Sequence, residues 1–290
     1  MRILGVGIAT LDIVNTVDGF PEEDAEVRAS GQRMSRGGNA TNTLVTLSQF
    51  DHACSWAGML AKDSASDWVR QDLQRFQVNT DSVAVANGSL PTSYVTLNSR
   101  NGSRTIVHYR DLDEYSYEDF MGIDISAYDW IHFEGRHVPA LGLMMQSLVA
   151  RDYKNFSLEV EKPRQHIEQL FSLPAVLMFS RAYVRETHQG SIKDFFYSLR
   201  DNGSKQPVYC AWGKAGAWAM NSQGKLFQQP AWQPEQVIDT LGAGDVFNAA
   251  IIHATLKNEK VETVLEFACK VAGFKCGLQG FDHISEVCAQ

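Results

Sequence analysis

The sequence predicts an α/β fold: three layers, with helices on both faces of a mainly parallel sheet, and a small antiparallel sheet inserted into it. Three observations predict this. Short apolar runs at 3–7, 130–133, 156–160, 176–179 and 208–211 read as buried strands, because a strand covered on both faces is apolar without alternation. Segments of helical periodicity separate these runs, and strand and helix in turn imply a parallel sheet. Two segments of alternating polarity, 93–97 and 104–109, flank Arg100-Asn101-Gly102-Ser103 and read as a hairpin with an Asn-Gly turn and one half-buried face.

Taken in order, the run 3–7 is bounded by glycine and by Asp12 and reads as the first strand. The texture changes from Ile13 to about Ser35, where Asp24-Ala-Glu-Val-Arg-Ala alternates polar and apolar; with the hairpin it suggests the inserted sheet. Ser64-Ala-Ser-Asp67 opens a helix that places Trp68, Val69, Leu73 and Phe76 on one face. Helical patterns follow at 139–150, at 164–171 after Pro163, and at 192–199, 243–257 and 261–276.

The 290 residues are enough for a sizeable core, and 44% hydrophobic with 21% charged residues is ordinary for a globular protein. A net charge of −8 with no Lys/Arg-rich run argues against nucleic acid or an anionic membrane as partner. The opening MRILGVGIATLDIV is interrupted by Asp12 and is too short for a signal peptide or a span of about 20 apolar residues, so the expected location is the cytoplasm. Five cysteines without a CxxC pair read as reduced structural thiols, with zinc or a disulfide as the alternative.

The chemistry concentrates in Asp239-Thr-Leu-Gly-Ala-Gly-Asp245, which runs straight into an apolar helix. Gly242 and Gly244 allow a tight bend and close approach of a bulky group, and the first-turn N–H groups with the helix dipole form an anion site. A carboxylate at that point, Asp245, could take a proton from a hydroxyl beside donors aimed at a phosphate, which is what phosphoryl transfer requires. An Asp that merely caps a helix after a glycine turn is the alternative for an isolated GxGD. A second string, Arg36-Gly37-Gly38-Asn39-Ala40-Thr41-Asn42, also opens a helix and sets Asn39 and Asn42 on one face, where their amides can serve a polyhydroxyl ligand. By itself it also reads as a loop leading to an Asn-capped helix.

Together the two strings resemble the signatures of the ribokinase-like (PfkB) carbohydrate kinases, in that family's order along the chain. The resemblance is greatest to the members that phosphorylate ketohexoses. It runs through Leu11-Asp12, Phe20-Pro-Glu-Glu-Asp24-Ala-Glu-Val-Arg28, Gly102-Ser-Arg104-Thr-Ile, Trp130-Ile-His-Phe-Glu134-Gly-Arg136 and Ser157-Leu-Glu159-Val-Glu161-Lys-Pro-Arg164. Cys210-Ala-Trp212 and Lys275-Cys-Gly-Leu-Gln-Gly-Phe-Asp282 complete it.

The resemblance implies a kinase domain over 1–12, 36–91 and 111–290 and a β lid over 13–35 and 92–110. It implies ATP-dependent phosphorylation of the C1 hydroxyl of a ketohexose, D-fructose foremost, and a homodimer formed through the lid. It assigns Asp12, Asp24, Gly38, Asn39, Asn42 and Glu134 to the sugar, Arg136 with Gly242 and Gly244 to ATP, and Arg104 to the lid above the transferred phosphate. Asp245 becomes the general base, and Gly242, Ala243 and Gly244 supply backbone N–H groups to the phosphoryl charge. On residue chemistry alone Asp12 can equally be a turn residue, Asp24 a solvated loop charge, Arg104 a solvated strand charge and Arg136 a surface partner of Glu134. Mg²⁺ is implied as the ATP counter-ion, with Glu159 and Glu161 as candidates, and K⁺ as the family's monovalent ion, with Asp239 in a turn nearby. The segment Ser180-Arg-Ala-Tyr-Val-Arg-Glu186 lacks the Asn of the Asn-x-x-Glu motif found in many relatives, which puts metal handling there in doubt.

Three rival readings remain. Another sugar kinase of the same family could act on a different ketose, ribose or a sugar derivative. A sugar-binding regulatory module could retain these strings without turnover. Gly5-Val-Gly7 suggests dinucleotide binding, but Thr10 stands where the third glycine belongs and no helix begins there, which argues against an NAD-dependent oxidoreductase.

Overall fold

The computed structural model describes residues 1–289. The chain runs β1 (Arg2–Val6), β2 (Thr10–Val17), β3 (Gly31–Gly37), α1 (Asn39–Ser48), β4 (Ala53–Ala57), β5 (Met59–Ala61), α2 (Ser64–Arg75) and β6 (Ala84–Ala86). Next come β7 (Thr92–Asn98), β8 (Arg104–Tyr109), α3 (Tyr117–Met121), β9 (Trp130–Glu134), α4 (Val138–Ala150), β10 (Phe156–Val160) and β11 (Val176–Ser180). The rest is α5 (Arg181–Thr187), α6 (Ile192–Asp201), β12 (Val208–Ala211), β13 (Ala217–Met220), β14 (Leu226–Gln229), α7 (Ala243–Leu256) and α8 (Val261–Cys276).

The main sheet has eight strands in the order β14-β13-β12-β11-β10-β9-β1-β4. It is parallel from β4 to β12, and only β13 and β14 turn antiparallel at one edge. Strand β1 shows why its apolar run carries no alternation. Ile3 joins the core on one face, with Leu44 and helices α7 and α8, while Leu4 and Val6 join the core on the other, with α4 and α6. Both faces are dry, so both sets of side chains must be apolar. The carboxyl ends of β9, β10 and β11 share one edge and carry Glu134, Glu159 and Ser180, with Glu134 and Glu159 paired in register. Open α/β sheets place ligands at that edge.

The small sheet has four strands in the order β3-β2-β7-β8. Its outer pairs are antiparallel and its central pair, β2 with β7, is parallel. The Asn-Gly turn forms as expected: Gly102 has φ +69° and the Asn101 side chain accepts from the Ser103 N–H at 2.9 Å. A left-handed φ of this kind favours glycine.

Two segments differ from expectation. The stretch 164–171 forms no α-helix but a single 3-10 turn, Ile167–Leu170, entered through His166 at φ +67°. Ile167, Leu170 and Phe171 are buried from that one turn, so their spacing suffices without a longer helix. The alternating stretch 24–29 forms no strand. It is an exposed loop between β2 and β3, since its small apolar residues meet no surface to bury against.

Candidate active site

Helix α7 begins at the glycine turn. Gly242 is its N-cap at φ +77°, and a Cβ there would stand 2.2 Å from the Phe281 ring, so glycine is required both by dihedral and by space. Gly244 has open space where a Cβ would lie, which leaves the helix N-terminus free for close approach. Asp239 pins the turn from below. Its carboxylate accepts from the Leu241 N–H at 2.9 Å and the Gly280 N–H at 3.2 Å, and its carbonyl accepts from Lys275 Nζ at 2.8 Å. Lys275 is fully buried and its ammonium lies 3.2 Å from the Asp239 carboxylate, with Arg33 at 3.6 Å from the same oxygen.

Asp245 is buried in the first turn of α7, and its Oδ2 accepts from Asn42 Nδ2 at 2.6 Å. Burial pushes its pKa well above the usual carboxylate range; the Asn42 amide and Arg36 pull it down, and Glu134 and Glu161 push it further up. Asn42 comes from α1, whose entry is shaped by Gly38 at φ +103°, where a Cβ would stand 2.1 Å from the Ile8 carbonyl oxygen. Asn39 donates to Glu159 Oε1 at 3.0 Å. Asp12 lies within β2 rather than at the end of β1, buried, and accepts from the Thr10 hydroxyl at 3.0 Å.

These groups line one cleft of about 330 Å³ between the sheet edge, the lid and the start of α7. Asp12, Gly38, Asn39, Asn42, Gly242, Gly244 and Asp245 are on its wall, with Glu159 and Glu161 facing them and Arg104 contributed by the exposed strand β8. Glu159 is buried, and its pKa rises well above normal through burial and then through Asp245, Glu134 and Glu161. Its Oε2 has no hydrogen-bond partner among the described residues and lies 4.0 Å from the similarly unpartnered Nε2 of buried His132.

Other expected residues lie elsewhere. Glu134 is behind the wall: its Oε2 accepts from the Ile8 N–H at 3.1 Å and the Ala40 N–H at 3.3 Å, so it caps the first turn of α1. Burial pushes its pKa up to about 7 despite Arg136 and those two donors. Arg136 is not on the cleft wall either; it pairs with Glu114 at 2.9 Å and Glu134 at 3.5 Å. Asp24 is in the exposed loop before β3, off the cleft, at φ +67°. Ala243 is the first residue of α7, and its N–H is 3.4 Å from the Thr240 carbonyl.

Arg181 and Asn248 also line the cleft, and neither belongs to the two glycine strings. Asn248 stands i+3 from Asp245, so helical spacing could have found it. Arg181 follows the end of β11, and its neighbour Ser180 occupies the ground of the missing Asn-x-x-Glu motif. The Ser180 hydroxyl donates to the Glu161 carbonyl at 2.5 Å and accepts from the Tyr183 N–H at 2.9 Å, so it caps α5.

Glu159 and Glu161 offer carboxylate oxygens to the cleft, Glu159 Oε2 without a partner among the described residues, and would suit a hard divalent ion. Asp239 does not suit K⁺: both carboxylate oxygens and its carbonyl are engaged, and Lys275 and Arg33 already bring positive charge to it.

Among the described residues no helix is long and apolar enough to cross a membrane. A family model described as pfkB family carbohydrate kinase matches residues 2–286. Ketohexokinase of Mus musculus is 38% identical over 295 residues, covering 98% of each chain. Fructosamine kinase FrlD of Bacillus subtilis is 25% identical over 256 residues, covering 84% of each. The fold superposes on Arabidopsis thaliana ribokinase complexed with ribose and ATP with a TM-score of 0.80 at 18% identity, over 99% of this chain and 98% of that one. With its glycine turn, buried Asp245 and full-length match, this chain belongs to the pfkB family of carbohydrate kinases.

Proposed function

We propose that the protein transfers the terminal phosphoryl group of ATP to the C1 hydroxyl of a ketohexose, D-fructose foremost. The observation that carries this reading is the buried Asp245, held by Asn42, at the helix N-terminus on a cleft that also contains Asp12 and Asn39. The 38% identity with a ketohexokinase over nearly the whole chain supports the choice of sugar.

In this reading Asp12, Asn39 and Asn42 hold sugar hydroxyls, and the acceptor hydroxyl faces Asp245, which takes its proton as the new O–P bond forms. The N–H groups at the start of α7, around Gly242 and Gly244, receive the charge on the transferred group. Arg104 and Arg181 bring positive charge to the phosphates from the lid and from the end of β11. Bound Mg²⁺, with Glu159 and Glu161 as its protein contacts, would neutralise phosphate charge. ADP release with D-fructose, against D-ribose and fructosamine in the same assay, tests the reading.

The lid's outer face suggests a second copy as its partner. Register places Met34, Ile13, Tyr94 and Val107 in one row across all four strands. Tyr94 is 51% and Val107 65% exposed, and such a row on a small sheet needs a cover. Asp12 and Arg104 belong to the opposite, cleft-facing side, so pairing of the outer faces leaves the site open. Use of ATP and five free cysteines agree with a cytoplasmic location.

A further inference from the structure

Arg36, at the end of β3, is 4% exposed. Its Nε donates to Asp72 on α2 at 2.9 Å, and its Nη1 donates to the Thr41 hydroxyl at 3.1 Å and to Asn42 Oδ1 at 2.5 Å. The guanidinium also stands 5.5 Å from the centre of the Phe281 ring, the ring that fills the space under Gly242. A buried charge with four such neighbours is fixed in direction.

An amide has two opposite ends, a donor and an acceptor, of nearly the same shape. Arg36 offers only N–H groups, so the end of Asn42 that faces it must be the oxygen. The other end, Nδ2, is then turned toward Asp245 at 2.6 Å. Reversing the amide would set its oxygen against the carboxylate and its NH₂ against the guanidinium, two repulsive contacts at once. We propose that Arg36 is a positioning residue for Asp245: anchored by Asp72, it fixes the polarity of the Asn42 amide so that a donor always faces the base. This rests on the reading of Asp245 as the base.

The carboxylate needs such a donor. Glu134 from β9 and Glu161 just after β10 press on it with negative charge, and Glu159 from β10 and Asp12 from β2 share its cleft. Arg36 and Asn42 oppose them from the α1 side, and Arg104 faces the cleft from the lid. Removing Arg36 loses its charge and frees the amide to reverse, both of which disfavour the ionised base.

The test is a ¹³C titration of Asp side-chain carboxyl groups in the full chain, with the Asp245 signal identified by its loss in Asp245→Asn. Arg36→Met is expected to raise the Asp245 midpoint by about one pH unit, Arg36→Lys to recover part of it, and Arg36→Met to raise it by less in the Asn42→Ala background than in wild type, since only its direct charge still acts there. The acid limb of kcat/KM for the sugar should move with the midpoint. A folded Arg36→Met with an unchanged midpoint, or one that adds fully to Asn42→Ala, overturns the inference. If Arg36→Met does not fold, Arg36→Gln, which removes the charge and offers Asn42 an acceptor as well as a donor, should raise the midpoint likewise, and no movement there overturns it too. A wild type that phosphorylates no sugar would refute the kinase reading, while the titration still decides this one.

Discussion

The Asn42 amide donates to the Asp245 carboxylate at 2.6 Å across 203 residues of sequence, and so joins the start of α1 to the start of α7. The string that opens α1 and the glycine turn that opens α7 are thereby one structure. The contact also offsets part of the burial that pushes the Asp245 proton affinity up.

Asp245→Asn keeps the shape of this contact but removes the proton acceptor. We expect kcat to fall by about 10²–10⁴-fold, with ATP affinity by calorimetry close to wild type. Near-normal turnover would remove Asp245 from the base role.

Gly242→Ala forces a side chain into φ +77° and onto the Phe281 ring. The backbone strain costs about 1–3 kcal/mol, read by denaturant unfolding. Displaced N–H donors should lower kcat by roughly 10²–10³-fold. A variant with unaltered turnover would mean that the turn does not hold the phosphoryl group.

Arg104→Ala should leave unfolding within about 0.5 kcal/mol of wild type, since the residue is exposed. Loss of a charge-assisted contact to phosphate should cost about 1.5–3 kcal/mol in kcat/KM for ATP, roughly 10- to 150-fold. Unchanged kinetics would return Arg104 to a solvated strand charge.

Tyr94→Asp with Val107→Asp places charge in the row across the lid's outer face. Sedimentation should show a dimer for wild type and a monomer for this variant. A monomeric wild type would refute the pairing.

His52 and His253 share a hydrogen bond of 2.9 Å, and burial holds both pKa values down at about 4. Against an unfolded value of about 6.5, the unfolded chain binds more protons between those values, so this pair's stability is lost as pH falls through that window. Glu134, pushed up to about 7, acts in the opposite sense over overlapping pH. The comparison is therefore with His52→Gln/His253→Gln: from pH 7 to pH 5 wild type should lose more Tm than the double variant. Equal losses would contradict the assignment.

Much of this was legible because it is local. Asp239 to Asp245 are consecutive, Asn39 and Asn42 share a helix face, and the buried strands announce themselves as unbroken apolar runs. What depends on partners far along the chain was not. Arg136 looks like a phosphate ligand until Glu114, which carries no motif, is seen beside it. Glu134 looks like a sugar ligand until the N–H groups of Ile8 and Ala40 turn toward it. Lys275 stands in a recognisable string, yet its hold on Asp239 appears only when the end of α8 meets the glycine turn. The stretch 164–171 has helical spacing, but three apolar residues are served by one turn.

Phosphorylation of a ketohexose at C1 is the reaction proposed for this cleft. Purified protein with D-fructose, ATP and Mg²⁺, and ³¹P–¹³C NMR of the product, tests it most directly. ADP release with phosphorus coupled to C1 is expected. A 6-phosphate, or no turnover with fructose beside brisk turnover of another sugar, would contradict it.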